Sequence, residues 1–252
     1  MMKLIISVIL ILTSCFANAT GLNYHSERTR LYQLTKKFEA QKTLPRLYTK
    51  EGKEILSQFT APKLLENFSK DKIDEKLDIT NYINHIVEIY LTFSSNKSNE
   101  ITSQDLTNNL KRFQQEIILL STFNIKYFAA ISPHINQFYK ELPDNERGGV
   151  IQYSVKMMQS EMLKYYYGGF KWIALPDCLT EQSKLDIITT LEQSAENYAK
   201  FIPESKKTAI IEKAEQLITQ QPIFKSQLSH IIEVMKTNEC EEICQIITKK
   251  TK

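Results

Sequence analysis

Apolar side chains recur every three or four residues through most of this chain, which is the spacing of one face of an α-helix. One stretch with this spacing runs from Leu106 to Leu120. No stretch shows the sustained alternation of apolar and polar residues that is typical of a half-buried strand. The sequence therefore predicts an all-α fold. The clearest helical face carries Ile79, Tyr82, Ile83, Ile86, Tyr90 and Phe93.

Residues that commonly begin or end helices divide this pattern into eight to ten helices. Thr102 (or the serine after it), Thr180 and Ser132–Pro133 have the side chains that cap a helix or open its first turn. Gly168–Gly169 predicts a helix end, because glycine adopts the left-handed conformation at little cost. Asn238 predicts the start of a last helix. With short connections, these elements indicate an antiparallel multi-helix bundle.

The first nineteen residues differ from the rest of the chain. Lys3 is followed by an apolar run from Leu4 to Leu12 and then by small residues that include Ala17 and Ala19. A short positive end, an apolar core and an A-x-A site are typical of a secretory signal peptide. The apolar core has about half of the roughly 20 residues that span a bilayer. We therefore expect an export signal that is cleaved after Ala19.

Two forms of the processed protein follow from this segment. Cleavage after Ala19 releases a protein into the periplasm or the medium. The run Leu12-Thr13-Ser14-Cys15 also resembles the lipobox of bacterial lipoproteins, and that resemblance implies a lipid on the Cys15 thiol. Soluble release is favoured, because serine before the cysteine is tolerated rather than preferred in the lipobox. In the alternative form, the protein is anchored to the membrane through Cys15 alone.

The remaining residues, 20–252, are expected to form a single all-helical domain. A candidate boundary that would divide this domain into two parts lies near residues 143–149. Removing residues 1–19 takes away one lysine, so 31 basic side chains face 29 acidic ones and the net charge is +2. A dedicated nucleic-acid binder usually shows a strong, clustered basic excess. We therefore expect no nucleic-acid partner.

Three cysteines follow the export signal: Cys178 in a predicted loop, and Cys240 and Cys244 on the predicted last helix. Disulfides persist in the oxidising compartment outside the inner membrane. Side chains four apart on one helix have Cβ atoms about 5–6 Å apart, which is longer than a disulfide requires. We therefore predict a bond from Cys178 to Cys240 or Cys244, worth about 3–4 kcal/mol for a loop of about 60 residues. Buried free thiols are the alternative.

Aromatic residues are concentrated in one eight-residue segment, and they include the only tryptophan of the chain. Three consecutive tyrosines on a helix span about 200° of its circumference, so at least one should be exposed. Tyrosine and tryptophan are common anchors of protein interfaces. The segment is therefore a candidate surface for another protein of the envelope, and the alternative is that it fills the core. Its members are Tyr165, Tyr166, Tyr167, Phe170 and Trp172.

Motifs for catalysis, metal binding and cofactor binding are missing from the sequence. There is no H-E-x-x-H, no G-x-S-x-G elbow and no glycine-rich phosphate loop. We expect no catalytic residue, metal or cofactor, and favour a non-enzymatic binding, inhibitor or accessory protein of the bacterial envelope. The alternatives are a secreted factor of the virulence type that acts outside the cell, and an envelope enzyme whose acids meet only in the fold.

Overall fold

The computed structural model describes residues 27–40, 43–66, 73–93, 101–147, 149–241 and 243–244. The predicted export signal, with Cys15, Ala17 and Ala19, lies outside these residues. Within them the chain forms nine α-helices and no strand, which confirms the all-helical prediction. The helices are α1 (Glu27–Glu39), α2 (Lys50–Phe59), α3 (Ile73–Leu91), α4 (Ser103–Arg112), α5 (Gln114–Glu141), α6 (Val150–Ala174), α7 (Glu181–Ala199), α8 (Glu204–Gln220) and α9 (Lys225–Thr237).

Threonine side chains begin three of these helices. Thr102 accepts the backbone N–H of Asp105, while the Asp105 carboxylate accepts the N–H of Thr102, which forms a capping box at α4. Thr180 begins α7 by accepting the N–H of Ser183. Thr49 caps α2 in the same way. The helix starts predicted at Thr102 and Thr180 are confirmed.

Helix α5 is 28 residues long and passes through Ser132 and Pro133 without a break. Proline has no N–H, so the carbonyl of Ala129, four residues earlier, loses its usual helical partner. The Ser132 hydroxyl donates to that same carbonyl at 3.0 Å. The helix start predicted at this pair is therefore wrong, because the serine replaces a hydrogen bond inside a helix instead of capping a new one.

Helix α6 likewise continues through Gly168 and Gly169 to Ala174, so the helix end predicted at this pair is wrong. A Cβ atom added at Gly169 would lie 2.8 Å from Cδ1 of Leu191 and 3.1 Å from Cγ2 of Ile187, both on α7. A Cβ atom added at Gly168 would meet nothing within 4 Å. Gly169 thus allows α6 to approach α7 closely.

Helix α5 packs against α3 on one side and against α7 on the other, and α9 packs against α7 and α8. Buried tyrosines connect distant parts of this core through their hydroxyl groups. Tyr127 donates to the Lys76 carbonyl at 2.9 Å, and Tyr198 donates to the Ile125 carbonyl at 2.8 Å. The antiparallel arrangement, the single domain and the candidate boundary near residues 143–149 stay predictions.

Candidate functional site

The aromatic segment on α6 is largely built into the core. Tyr166 is fully buried and Phe170 is 4% exposed. Tyr165, Tyr167 and Trp172 are half-buried and pack against the same hydrophobic cluster. Any surface that the segment offers comes from parts of these last three side chains, and its binding to a partner stays a prediction.

The hydroxyl of Tyr165 belongs to a polar network between α3, α5 and α6. The Asn124 side-chain amide donates to this hydroxyl at 2.9 Å and to Oδ1 of Asn84 at 2.7 Å. The Tyr165 ring stacks on Tyr198 with 6.4 Å between ring centroids. Burial, with the charge of Glu161 as a further cause, raises the pKa of Tyr165. The hydroxyl therefore stays protonated and connects three helices.

The disulfide joins Cys240 to Cys244, and Cys178 is a buried free thiol. The predicted bond from Cys178 to either of the other two cysteines is therefore wrong. Cys178 precedes α7, whereas the other two lie beyond its far end, where the Glu241 N–H donates to the Lys200 carbonyl at 2.8 Å. The 19 residues of α7 extend for about 28 Å. A disulfide allows only about 7 Å between Cα atoms.

The last helix predicted from Asn238 does not form where Cys240 lies. Helix α9 ends at Thr237, and residues 238–241 are not helical. Residues 243–244 are helical again, and the N–H of Cys244 donates to the Glu241 carbonyl at 2.9 Å, so Cys240 lies before the helical turn that contains Cys244. The spacing of side chains on a regular helix, which argues against this cysteine pair, therefore does not apply to it.

Residues 238–241 with 243–244, which we call the C-terminal segment, are held by a buried lysine. Lys207 of α8 is 1% exposed and donates to the Glu204 carboxylate at 2.6 Å and to the Asn238 carbonyl. The same carboxylate accepts the N–H of Cys240 at 3.1 Å. Gln159 of α6 donates to the sulfur of Cys244 at 3.4 Å. Side chains of two helices, α8 and α6, thus fix the position of this segment.

A cleft of about 620 Å³ opens between the C-terminal segment and the last turns of α5 and α7. Its volume is within the range of about 300–1,000 Å³ that is typical of small-molecule sites. The lining consists of three side-chain amides, two lysines, a glutamate, a proline and a cysteine of the disulfide. These residues are Pro133, Asn136, Gln137, Lys140, Asn197, Lys200, Cys240 and Glu241.

Asn136 is the buried amide of this cleft. The residue is 8% exposed, and its Oδ1 has no hydrogen-bond donor among the described residues. Leaving a buried acceptor unpaired costs about 1–3 kcal/mol. Its neighbours on α5, Ile135 and Tyr139, are buried in the core and supply the apolar packing there. Asn136 therefore lines the cleft, while its own Oδ1 is turned away from solvent and lies unpaired among the described residues.

One charged residue of the lining, Lys200, forms an ion pair. The Lys200 ammonium lies 2.7 Å from the Glu196 carboxylate. The hydrogen bond to Glu196 raises the pKa of Lys200 and lowers that of Glu196. The lining carries two lysines and one carboxylate, Glu241, so its formal charge is +1. Glu196, which does not line the cleft, compensates this charge through its pair with Lys200.

Sequence reasoning missed all of the cleft's polar residues. They come from α5, α7 and the C-terminal segment, and no motif joins positions so far apart in the chain. One signal was present: Asn136 directly follows Ile135, and the residues one turn away on the same face, Ser132 and Tyr139, are buried as well. A polar side chain at such a position indicates either a buried hydrogen bond or a ligand.

Two histidines lie close to carboxylates, on a neighbouring helix in both cases and also on the same helix in the case of His85. The His85 ring lies 2.7 Å from Glu39 through Nε2 and 3.9 Å from Glu88 through Nδ1. These interactions, with Glu88 and then Glu39, raise the pKa of His85. His230 lies 3.0 Å from Glu192. Within the described part of the chain, there is no group of three or more histidine, cysteine, aspartate or glutamate side chains that could hold a metal ion.

Comparisons with known proteins give no relative: no family model, no curated protein and no solved structure matches this chain. Across the residues that the structure describes, no helix combines the length and the apolar content needed to cross a membrane.

Proposed function

We propose that the protein is an exported, non-enzymatic binding protein of the bacterial envelope, with its binding site in the cleft beside the Cys240–Cys244 disulfide. The observation that carries this proposal is a cleft of about 620 Å³ whose lining includes three side-chain amides, Asn136, Gln137 and Asn197. An amide group both donates and accepts hydrogen bonds. Three of them around one cleft therefore favour a polar ligand.

The chemistry of the lining favours binding over catalysis. Its described residues include one carboxylate, Glu241, and neither a histidine nor a serine. The Lys200 ammonium is occupied by its ion pair with Glu196. General acid–base catalysis needs groups placed to give and take a proton, whereas amides act as donors and acceptors that hold a ligand. The cleft therefore supports recognition without chemical change.

Export is supported by residues 1–19 of the sequence and by the disulfide. Disulfides form and persist in oxidising compartments, and they are rare in the cytosol. The intact mass of the protein isolated from cells tests this part of the proposal. Loss of residues 1–19 is expected, whereas a mass with a lipid on Cys15 would show the anchored form. A mass that retains the whole sequence would contradict export.

Binding is tested by native mass spectrometry of the protein isolated from the envelope fraction. We expect a bound species on the wild type and on Gln216→Leu, which changes an exposed amide of α8 that is not part of the lining. The same species should be lost from Asn136→Leu, which removes both polar atoms of the amide at similar volume. Equal amounts of bound species on both variants, or none on any protein, would refute the cleft as the binding site.

A further inference from the structure

We infer that Cys240 is a site of reversible modification by a small thiol, with Cys244 as the leaving group of the exchange. The two cysteines of this disulfide lie in different surroundings. Cys240 lines the cleft, whereas Cys244 is not part of the lining, although both residues are half-buried. The reaction changes the protein itself, so the inference goes beyond the proposed binding function and does not depend on it.

Access favours attack on the sulfur of Cys240. The rate of thiol–disulfide exchange depends on which sulfur a thiolate can reach, and exposed disulfides are the reactive ones. The cleft of about 620 Å³ has room for a small organic molecule. A thiol of low molecular weight can therefore reach the wall that Cys240 forms. The lining carries two lysines and one carboxylate, so an incoming thiolate meets no excess of negative charge.

A buried amide faces the other sulfur. Gln159 of α6 is 5% exposed, and its Nε2 donates to the Phe201 carbonyl at 2.9 Å and to Sγ of Cys244 at 3.4 Å. Both partners are acceptors only, which fixes the amino group on this side of the amide. A disulfide sulfur is a weak acceptor, whereas a hydrogen bond to an ionised acceptor is roughly twice as strong as a neutral one. Gln159 is therefore better matched to a Cys244 thiolate than to the disulfide.

The charges near Cys240 disfavour a thiolate there. Its backbone N–H donates to the Glu204 carboxylate at 3.1 Å, and a glutamate adjoins it on each side in the chain. Acids next to a sulfur oppose a negative charge on it, although Lys207 offsets the charge of Glu204 by its ion pair at 2.6 Å. The difference between the two surroundings makes Cys244 the better leaving group.

The exchange consists of two balanced steps. A thiolate of the small thiol bonds to Sγ of Cys240, the Cys240–Cys244 bond breaks, and its electron pair goes to the Cys244 sulfur. The new thiolate takes up a proton from solvent, and the resulting thiol can donate to the Phe201 carbonyl, 3.7 Å away. A second thiolate then attacks the small thiol's sulfur in the mixed disulfide. The products are two protein thiols and the disulfide of the small thiol.

This reaction does not require the protein to unfold, because other contacts hold the C-terminal segment. Lys207 donates to the Asn238 carbonyl, and the Glu241 N–H donates to the Lys200 carbonyl at 2.8 Å. Ile243 is 1% exposed and packs in the core. These contacts do not involve the sulfur atoms, so Cys240 remains at the cleft when the disulfide opens.

Two cysteine variants of the protein isolated from cells test which sulfur is accessible. Each variant keeps one cysteine of the pair as a free thiol, which oxidised glutathione converts to a mixed disulfide with release of reduced glutathione. We expect Cys244→Ser to form this adduct about tenfold faster than Cys240→Ser, with the modified residue identified by peptide mass spectrometry. Equal rates, or a faster reaction of Cys240→Ser, would overturn Cys240 as the modification site.

The leaving group is tested by opening the disulfide with reduced glutathione under native conditions. Gln159→Leu, which removes the N–H donor, should slow the opening by about tenfold, whereas Gln216→Leu should leave the rate unchanged. The buried free thiol of Cys178 reports unfolding, because iodoacetamide reaches it only in the unfolded protein. We expect the wild-type disulfide to open faster than Cys178 is labelled.

Three results would overturn the inference. Opening no faster than the labelling of Cys178 would mean that the disulfide reacts only after unfolding. An unchanged rate in Gln159→Leu would remove Cys244 as the leaving group, and circular dichroism shows whether this variant folds; if it does not, the two cysteine variants still decide which sulfur reacts. Opening by the protein dithiol thioredoxin but not by glutathione would exclude a small thiol as the reactant.

Discussion

Two adjacent glycines in α6 should respond in opposite directions to the same substitution. In a helix interior, alanine is more favourable than glycine by about 0.8–1.0 kcal/mol. At Gly168 the new methyl group meets nothing within 4 Å, so Gly168→Ala should raise the free energy of unfolding by nearly that amount.

At Gly169 the same methyl group would lie 2.8 Å from Leu191 and 3.1 Å from Ile187. Both neighbours are buried, at 0% and 1% exposure, so they cannot yield without moving the core. Adding a methyl group to a packed core costs about 1–3 kcal/mol, which offsets or exceeds the gain in helix propensity. The free energies of unfolding of the two variants should therefore differ by about 1–3 kcal/mol, with Gly169→Ala the less stable.

Urea unfolding measures this difference. Far-ultraviolet circular dichroism reports the helices, and the fluorescence of the single tryptophan, Trp172, reports packing three residues from Gly169. The midpoints are comparable only where the dependence on urea is the same for both variants. If Gly168→Ala were destabilising by more than about 1 kcal/mol, the residue would adopt a left-handed conformation, and α6 would end there. If both variants were equally stabilised, α6 and α7 would not meet at Gly169.

Three further predictions concern the C-terminal segment and the α1–α3 contact. Lys207→Met should lower the free energy of unfolding by about 1.5–3 kcal/mol, because it removes charge-assisted hydrogen bonds, whereas the same change at the exposed Lys206 should have little effect in chemical denaturation. The pKa of His85 is raised in the folded protein, so the stabilisation from its charged ring is complete below the unfolded pKa of about 6.5 and is lost as pH rises through the folded pKa. The difference in stability between wild type and His85→Asn should therefore shrink between about pH 5.5 and pH 8. It should stay below about 1 kcal/mol, because the site is partly exposed. A constant difference would refute the role of the ring's charge. Thiol titration of the denatured, unreduced protein without residues 1–19 should find one free thiol, at Cys178, and three after reduction.

The part of the fold that could be predicted from sequence is the part that local chemistry determines. Apolar spacing predicts the helical faces, and the threonine side chains predict the starts at Thr102 and Thr180, because a cap and its helix are only three residues apart. The wrong predictions depend on contacts that spacing does not show. Gly169 serves a neighbouring helix, and Pro133 is tolerated inside α5 because Ser132 bonds the carbonyl that the proline leaves free.

The candidate site could not be predicted for the same reason. Asn136 and Asn197 are ordinary amides of two helices until α5 and α7 lie side by side, and residues 238–241 close the cleft only because α9 ends before them. The spacing of residues along one helix does not show which residues of another helix lie beside it. The sequence could show that Asn136 is a polar residue beside apolar ones such as Ile135, but it could not show the cleft that Asn136 lines.

The corrected disulfide changes what the cysteines do for the protein. A bond from Cys178 to the far end of the chain would have stabilised the whole fold by closing a loop of about 60 residues. The bond between Cys240 and Cys244, four positions apart, closes a short loop that is worth only about 2 kcal/mol in the same model. Its main effect is therefore local: it orders the segment that forms one wall of the cleft. The oxidising compartment that we propose for the protein keeps such bonds intact, so the binding that we propose for the cleft depends on this pair of cysteines.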